Sequence, residues 1–202
     1  MPPEPIEDLP PHDRRGFFLA GLSRLVGPLS DLIESKLPIP LPIIRTTLRP
    51  PGAISETAFL ETCLRCGRCA DACPADAIAL ATGDDPKFSG TPYVDPDSQA
   101  CVICDELACM KVCPSGALQL VDRLSIRMGL ARVEYDICIR SHGEHCTLCI
   151  DKCPLGRIAI RLDDSGRVQV IDPAQSDEGC TGCGVCQQEC PTTPKSIRIH
   201  AY

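Results

Sequence analysis

Cys180-Thr181-Gly182-Cys183-Gly184-Val185-Cys186-Gln187-Gln188-Glu189-Cys190-Pro191 decides how the rest of this 202-residue chain is read. Two residues separate the first three cysteines, three separate the third from the fourth, and proline follows at once. The same run stands at Cys63, Cys66, Cys69 and Cys73 before Pro74. A version with a longer second gap runs through Cys101, Cys104, Cys109 and Cys113 before Pro114. One with a longer first gap runs through Cys138, Cys146, Cys149 and Cys153 before Pro154. The four motifs use all 16 cysteines, and the last of each precedes the first of the next by 28, 25 and 27 positions.

This spacing points to iron–sulfur chemistry. Three thiolates at short intervals curl a loop around one cubane cluster, and the fourth, next to proline, reaches a neighbouring cluster. Four [4Fe–4S] clusters are therefore expected, with all 16 cysteines as ligands. Gly67, Gly182 and Gly184 fall between ligands, where the backbone must approach the inorganic core closely. A disulfide framework spreads its pairs to close long loops, whereas these cysteines crowd within 11 to 16 residues and leave none to join the motifs. Structural zinc uses two cysteine pairs per ion and has no need of a repeated Cys-Pro.

Composition agrees. There are four Phe, three Tyr and no Trp, too few large side chains to fill an ordinary core of this size. Clusters and their thiolates take that place, so folding is expected to be linked to cluster binding. The net charge of −7 lies wholly in residues 52–202, because residues 1–51 hold six basic and six acidic groups. Each oxidised cluster with its four thiolates adds about −2. Such an acidic body gives no attraction to a phosphate backbone, which argues against nucleic-acid binding.

Proline marks the domain boundary, with 11 of the 20 prolines in residues 1–51. The expected arm begins with a disordered tip. An amphipathic helix follows, with Phe18, Leu22, Leu25, Leu29, Leu32 and Ile33 on one face. An extended segment through Pro38, Pro40 and Pro42 completes the arm. Residues 52–202 form the cysteine-bearing domain. In each repeat the Cys-Pro is expected to open a short helical turn. Strands are expected over Ala77–Leu80, Ala117–Val121, Ile158–Leu162 and Ser196–His200. Asp163-Asp164-Ser165-Gly166 reads as the turn of a hairpin joining Ile158–Leu162 to Arg167–Ile171. The fold class is α+β.

No catalytic constellation accompanies the motifs. His142 and His145 read as exposed loop residues, because every motif already has four cysteines. Asp105 and Glu106 read as a solvated face, and Arg65 and Arg68 as loop arginines that also stand near the first cluster. There is no phosphate-binding glycine motif, and no apolar run is long enough for a transmembrane helix.

These residues resemble the NapG/MauM ferredoxin-type family over roughly residues 48–202. Beyond the cysteines, the resemblance is carried by Leu48-Arg49-Pro50-Pro51-Gly52-Ala53 with Phe59-Leu60, by Gly90-Thr91-Pro92-Tyr93, by Arg127-Met128-Gly129-Leu130 and by Cys180-Thr181-Gly182-Cys183-Gly184. It implies two bacterial ferredoxin-like units with two clusters each. It also implies relay of electrons from a membrane quinol-oxidising partner to a terminal redox enzyme, with no active site in the chain itself. The alternative is an accessory protein that supplies or supports the clusters of a partner oxidoreductase. Adjacent pairing of motifs (one with two, three with four) and nested pairing (one with four, two with three) both fit the near-equal spacings. The longer second gap of the second motif resembles four-cluster subunits that nest.

Members of that family carry a twin-arginine export signal, and Arg14-Arg15-Gly16-Phe17-Phe18-Leu19 is similar to one. Arg24 and Asp31 interrupt what should be an uncharged stretch, and no Ala-x-Ala follows. A retained N-terminus is therefore expected, with residues 17–36 docking on a partner or lying at a membrane surface. That places the protein in the cytoplasm or peripherally on the cytoplasmic membrane. Export to the periplasm is the alternative.

Overall fold

The computed structural model describes residues 47–176 and 178–202. The amphipathic helix and most of the proline-rich arm expected near the N-terminus lie outside the described residues. Leu48, Arg49, Pro50 and Pro51, grouped by composition with that arm, are buried in the body, which therefore begins no later than Leu48 rather than at residue 52. Their burial has a clear cause. The Arg49 guanidinium donates to both Glu56 carboxylate oxygens (2.6 and 3.1 Å), to Thr91 Oγ1 (2.9 Å) and to the Pro92 carbonyl (2.8 Å). The Val94 N–H donates to the Leu48 carbonyl (2.8 Å). A fully buried arginine is tolerated when each donor is met in this way.

Regular structure is short throughout. Helix α1, Glu56–Thr62, buries Phe59 and Leu60 on one face. Four single turns follow: α2 (Arg68–Asp71), α3 (Ala108–Lys111), α4 (Leu148–Asp151) and α5 (Val185–Gln188). Each carries the third cysteine of its motif and ends just before the fourth. Proline disfavours the α region for the residue preceding it, so each of these helices ends before the Cys-Pro. A separate turn opens at the proline in the first three repeats, at Pro74–Ala75, Pro114–Ser115 and Pro154–Leu155, and in the third it runs on into a 3₁₀ helix at Gly156–Ile158.

Three two-stranded antiparallel ribbons complete the fold: β1 (Ala79–Leu80) with β2 (Pro92–Tyr93), β3 (Gly129–Val133) with β6 (Ile197–Ala201), and β4 (Ile160–Leu162) with β5 (Val168–Val170). The hairpin expected from sequence is β4–β5. Asp163 Oδ1 holds its turn by accepting from the Ser165 and Arg167 N–H groups (both 2.9 Å) and the Ser165 hydroxyl (2.6 Å). The strand expected over Ala117–Val121 is reduced to one bridge, Leu118 to Ala53.

The body is a duplication. In the first half, Ala53 before the first motif bridges Leu118 after the second, and the β1–β2 ribbon lies between the motifs. The second half repeats this plan, with β3 and β6 closing it and β4–β5 between its motifs. One apolar cluster is built on Phe59, Ile103, Met110, Leu118, Ile126 and Met128, and a second on Ala131, Ile160, Val168 and Ile197. Cysteines take part in both, and Phe59 is the one aromatic ring in the buried core of the described residues.

Hydrogen bonds join the halves. Cys101 N–H donates to the Cys183 carbonyl (3.0 Å) and Met128 N–H to the Thr181 carbonyl (2.9 Å). Ala100 N–H donates to Gln188 Oε1 (3.0 Å), and Gln187 Nε2 to Asp97 Oδ1 (2.8 Å).

Candidate metal centres

No disulfide joins any of the sixteen cysteines, which gather into four groups of four, each lining its own cavity. Site 1 is lined by Cys63, Cys66, Cys69 and Cys113. Site 2 is lined by Cys101, Cys104, Cys109 and Cys73. Site 3 is lined by Cys138, Cys146, Cys149 and Cys190, and site 4 by Cys180, Cys183, Cys186 and Cys153. Counted out to their open mouths, the cavities enclose about 340, 380, 370 and 320 Å³ for sites 1 to 4. The first three cysteines of each motif stay together, and the fourth crosses to the adjacent motif.

Pairing is thus one with two and three with four. The nested arrangement suggested by the longer second gap of the second motif is not adopted. The chain between the first two motifs folds back as the β1–β2 ribbon, and Ala53 to Leu118 closes that half. The second half is closed in the same way by β3 and β6. Loop lengths of nearly equal size could not distinguish the alternatives; the closure of each half does.

The loops are shaped to receive a negatively charged group. In three motifs the residue before the second cysteine is left-handed: Arg65 at φ +54°, Ile103 at +49° and Gly182 at +74°. Alternation of left- and right-handed residues turns successive N–H groups inward, into an anion-binding concavity. Several of these groups reach sulfur directly. Arg65 N–H donates to Cys63 Sγ (3.4 Å), Ala77 N–H to Cys73 Sγ (3.3 Å), Leu118 N–H to Cys113 Sγ (3.4 Å) and Gly182 N–H to Cys180 Sγ (3.4 Å).

Thiol acidity shows what charge the cavities call for. Burial, followed by neighbouring Cys104 and Cys73, pushes Cys109 up to about 12. Burial and then Cys146 and Cys138 do the same to Cys149. Four thiolates cannot crowd together in a dry cavity unless a cation neutralises them, and a bound metal centre does this outright. Cys190 is the exception. Burial raises it, but the Ser196 and Thr192 hydroxyls and the backbone N–H groups of the same two residues together outweigh burial and bring it down to about 7. Thr181 Oγ1 is buried and Thr181 lines site 4, where burial pushes the Cys183 thiol up and the Thr181 hydroxyl works against it. Four thiols around each cavity, with no His, Asp or Glu in any of the four linings, suit an iron–sulfur cluster.

The remaining sequence candidates take secondary places. His142 Nε2 lies 2.9 Å from the Asp136 carbonyl; neither it nor His145 lines site 3, and both are exposed. Asp105 pairs with Arg123, and Glu106 pairs loosely with Lys111 (3.4 Å), all on the surface. Arg65 and Arg68 line site 1. Ser196 and Thr192 were not anticipated from sequence. Their only linear signal is that they stand six and two residues after the last cysteine.

Residues 62–117 and 137–193 match the 4Fe-4S dicluster domain, one match for each half of the body. The chain is 37% identical over 161 residues to the methylamine utilization ferredoxin-type protein MauM of Methylobacillus flagellatus, covering 76% of this chain and 68% of that one. It is 39% identical over 160 residues to the ferredoxin-type protein NapG of Escherichia coli, covering 75% of this chain and 69% of that one. The chain belongs to the NapG/MauM ferredoxin-type family. The MauM protein of Paracoccus denitrificans is 35% identical over 192 residues, or 91% of this chain and 78% of that protein. With two dicluster domains and 16 cysteines, this ferredoxin-type protein carries four [4Fe–4S] clusters.

Proposed function

We propose that the sixteen cysteines ligate the clusters in the four groups above and that the protein is a relay for single electrons. It would stand between a quinol- or donor-oxidising partner and a terminal redox enzyme. When bound, the clusters supply one-electron chemistry without bond making. The chain's contribution is to hold the sites in line. Sites 1 and 2 exchange their fourth ligands, Cys113 and Cys73, and sites 3 and 4 exchange Cys190 and Cys153. Between the halves, the loops of sites 2 and 4 meet where Cys101 N–H donates to the Cys183 carbonyl. These contacts imply the order 1–2–4–3, and the Cys101–Cys183 contact that joins the two pairs is the single observation carrying the relay reading.

Reduction with one-electron donors under anaerobic conditions, followed by EPR-monitored titration, tests it. Four clusters that reduce and re-equilibrate within milliseconds are expected. Isolated clusters exchanging slowly with one another would refute a relay. An accessory role in cluster supply predicts labile, exposed ligands. Of the sixteen cysteines only Cys66 is exposed, which favours the relay.

For location we propose the cytoplasm or the cytoplasmic membrane surface, with residues 17–36 as the contact. Export through the Arg14-Arg15 segment is the competing outcome. The native mass of the protein taken from its own cells decides between them: retention of the first residues supports the proposal, and their loss supports export.

A further inference from the structure

Site 1 differs from the other three in how it meets solvent. Cys66 is its exposed ligand, and Leu64 beside it is 65% exposed. The cavities of sites 2, 3 and 4 have no charged side chain in their lining, whereas that of site 1 has Arg65 and Arg68. Arg65 also staples a second segment to the rim. Its guanidinium donates to the Cys63 carbonyl (3.1 Å) and to the Lys87 carbonyl (3.0 Å). Lys87 and Phe88 are thereby held against the cysteine loop, with the ammonium 5.9 Å from the Phe88 ring centre. Leu80 closes the other side, 3.6 Å from where a Cβ on Gly67 would stand.

The result is a lip of three cations interleaved with exposed Leu64, Leu80 and Phe88 on a chain of net charge −7. Three carboxylates stand close in sequence to these cations: Asp71 in the helix of Arg68, Asp84, and Asp85, which accepts from Lys87 N–H (2.9 Å). Asp84 remains exposed.

We propose that this lip is the electron port of the relay, docking a redox protein that presents an apolar face rimmed by carboxylates. The inference rests on the relay reading and adds which end is used and what kind of partner fits. Cations at the rim attract an acidic partner and orient it, and the exposed apolar side chains provide the dry contact at the centre. One electron leaves the reduced partner and enters at site 1; no proton moves and no bond forms. Anionic lipid is the other surface to which such a patch could respond. The exposed ligand at its centre favours a protein, because only a redox partner makes use of that exposure.

The test uses the cluster-loaded full chain and two one-electron donors: a reduced, acidic plant-type ferredoxin and the methyl viologen radical cation. At low ionic strength, Lys87→Glu and the double variant Arg68→Glu/Lys87→Glu are expected to slow reduction by the ferredoxin about 10-fold or more. In Lys87→Glu, reduction by methyl viologen is expected to be unchanged or faster, and high salt to abolish the difference with the ferredoxin. Iron and sulfide counts confirm loading. If Arg68→Glu disturbs site 1, Lys87→Glu alone decides, because Lys87 does not line the cavity. Unchanged ferredoxin rates in loaded variants overturn the port. So does binding to anionic phosphatidylserine vesicles that Lys87→Glu abolishes while the ferredoxin rate stays constant. If methyl viologen cannot bring electrons to all four clusters, the relay itself fails, a result distinguishable from failure of the port.

Discussion

Ser196 Oγ lies 3.2 Å from Cys190 Sγ, and both residues are buried. Thr192 Oγ1 stands at the same distance from that sulfur and accepts from Ser196 N–H (2.8 Å), which leaves the threonine proton for the sulfur. Hydrogen bonds to ligand sulfur stabilise the more negative, reduced state and raise the reduction potential. Ser196→Ala should therefore lower the potential of the cluster at site 3. One such bond is worth roughly 0.5–1.5 kcal/mol, or roughly 20–60 mV for a one-electron couple. An EPR-monitored titration reads the shift, and an unmoved site 3 potential would contradict it.

Adjacent pairing makes a claim about iron content. Cys69 and Cys113 belong to site 1 although they come from different motifs. Cys69→Ser and Cys113→Ser should each remove one cluster, about four irons, and the double variant no more than either alone. Under nested pairing the two changes would strike different clusters and the double variant would lose about eight irons. Anaerobic iron and sulfide analysis separates the two.

Two glycines with the same backbone angle should respond differently. Gly67 and Gly182 both have φ +74°. A Cβ on Gly67 would meet nothing nearer than Leu80 Cδ1 at 3.6 Å, whereas one on Gly182 would stand 2.4 Å from the backbone of Gly129. Gly67→Ala should cost only the left-handed penalty, about 1–2 kcal/mol. Gly182→Ala should cost that plus overpacking of about 1–3 kcal/mol, because the halves meet there. Thermal release of iron, followed by absorbance, should come earlier in Gly182→Ala.

Arg49 is 1% exposed and its partner Glu56 is 8% exposed. The Arg49 guanidinium also lies 4.8 Å from the Phe59 ring centre. Arg49→Met leaves a buried carboxylate without this cation and should destabilise the body by about 3–5 kcal/mol. Denaturant unfolding of the loaded protein measures this; a loss under 1 kcal/mol would contradict the packing described.

Stripping iron should expose a dependence on pH. In the iron-free body, burial raises the Cys101 and Cys183 thiols to about 12, above the ordinary 9.0. A raised thiol favours the folded chain fully below pH 9 and loses that contribution as pH climbs from 9 toward 12. Cys190, held at about 7, has the opposite sign: its contribution is present above pH 9 and is lost as pH falls through 7. The raised group is larger, so any folded body that survives chelation should melt at a lower temperature at pH 10 than at pH 7.5, by circular dichroism under argon. Equal melting at both values would contradict it.

Much of this arrangement is legible in the linear chain, and particular residues show where legibility stops. The cluster count follows from spacing, because a loop of three cysteines can enclose only one small core. The β4–β5 hairpin is equally local, since Asp163 and Gly166 build its turn from within four residues. A turn does open at the Cys-Pro of the first three repeats. Each helix falls a few positions earlier, on the third cysteine, because proline constrains the residue before it. Leu48–Pro51 look like part of an arm by composition. They are buried because Glu56, Thr91 and Pro92 take up the Arg49 guanidinium, a set of contacts that no local pattern encodes.

By itself the sequence determines the four motifs, the four clusters they carry and the acidity of the body, because ligand type and loop length are local properties. Which fourth cysteine serves which site and the 1–2–4–3 order are decided only in three dimensions. They depend on residues 60 and more apart meeting, as Ala53 meets Leu118 and Cys101 meets Cys183. Those meetings come from closure of each half and burial of the seam between them, and spacings of 28, 25 and 27 residues are too alike to reveal either.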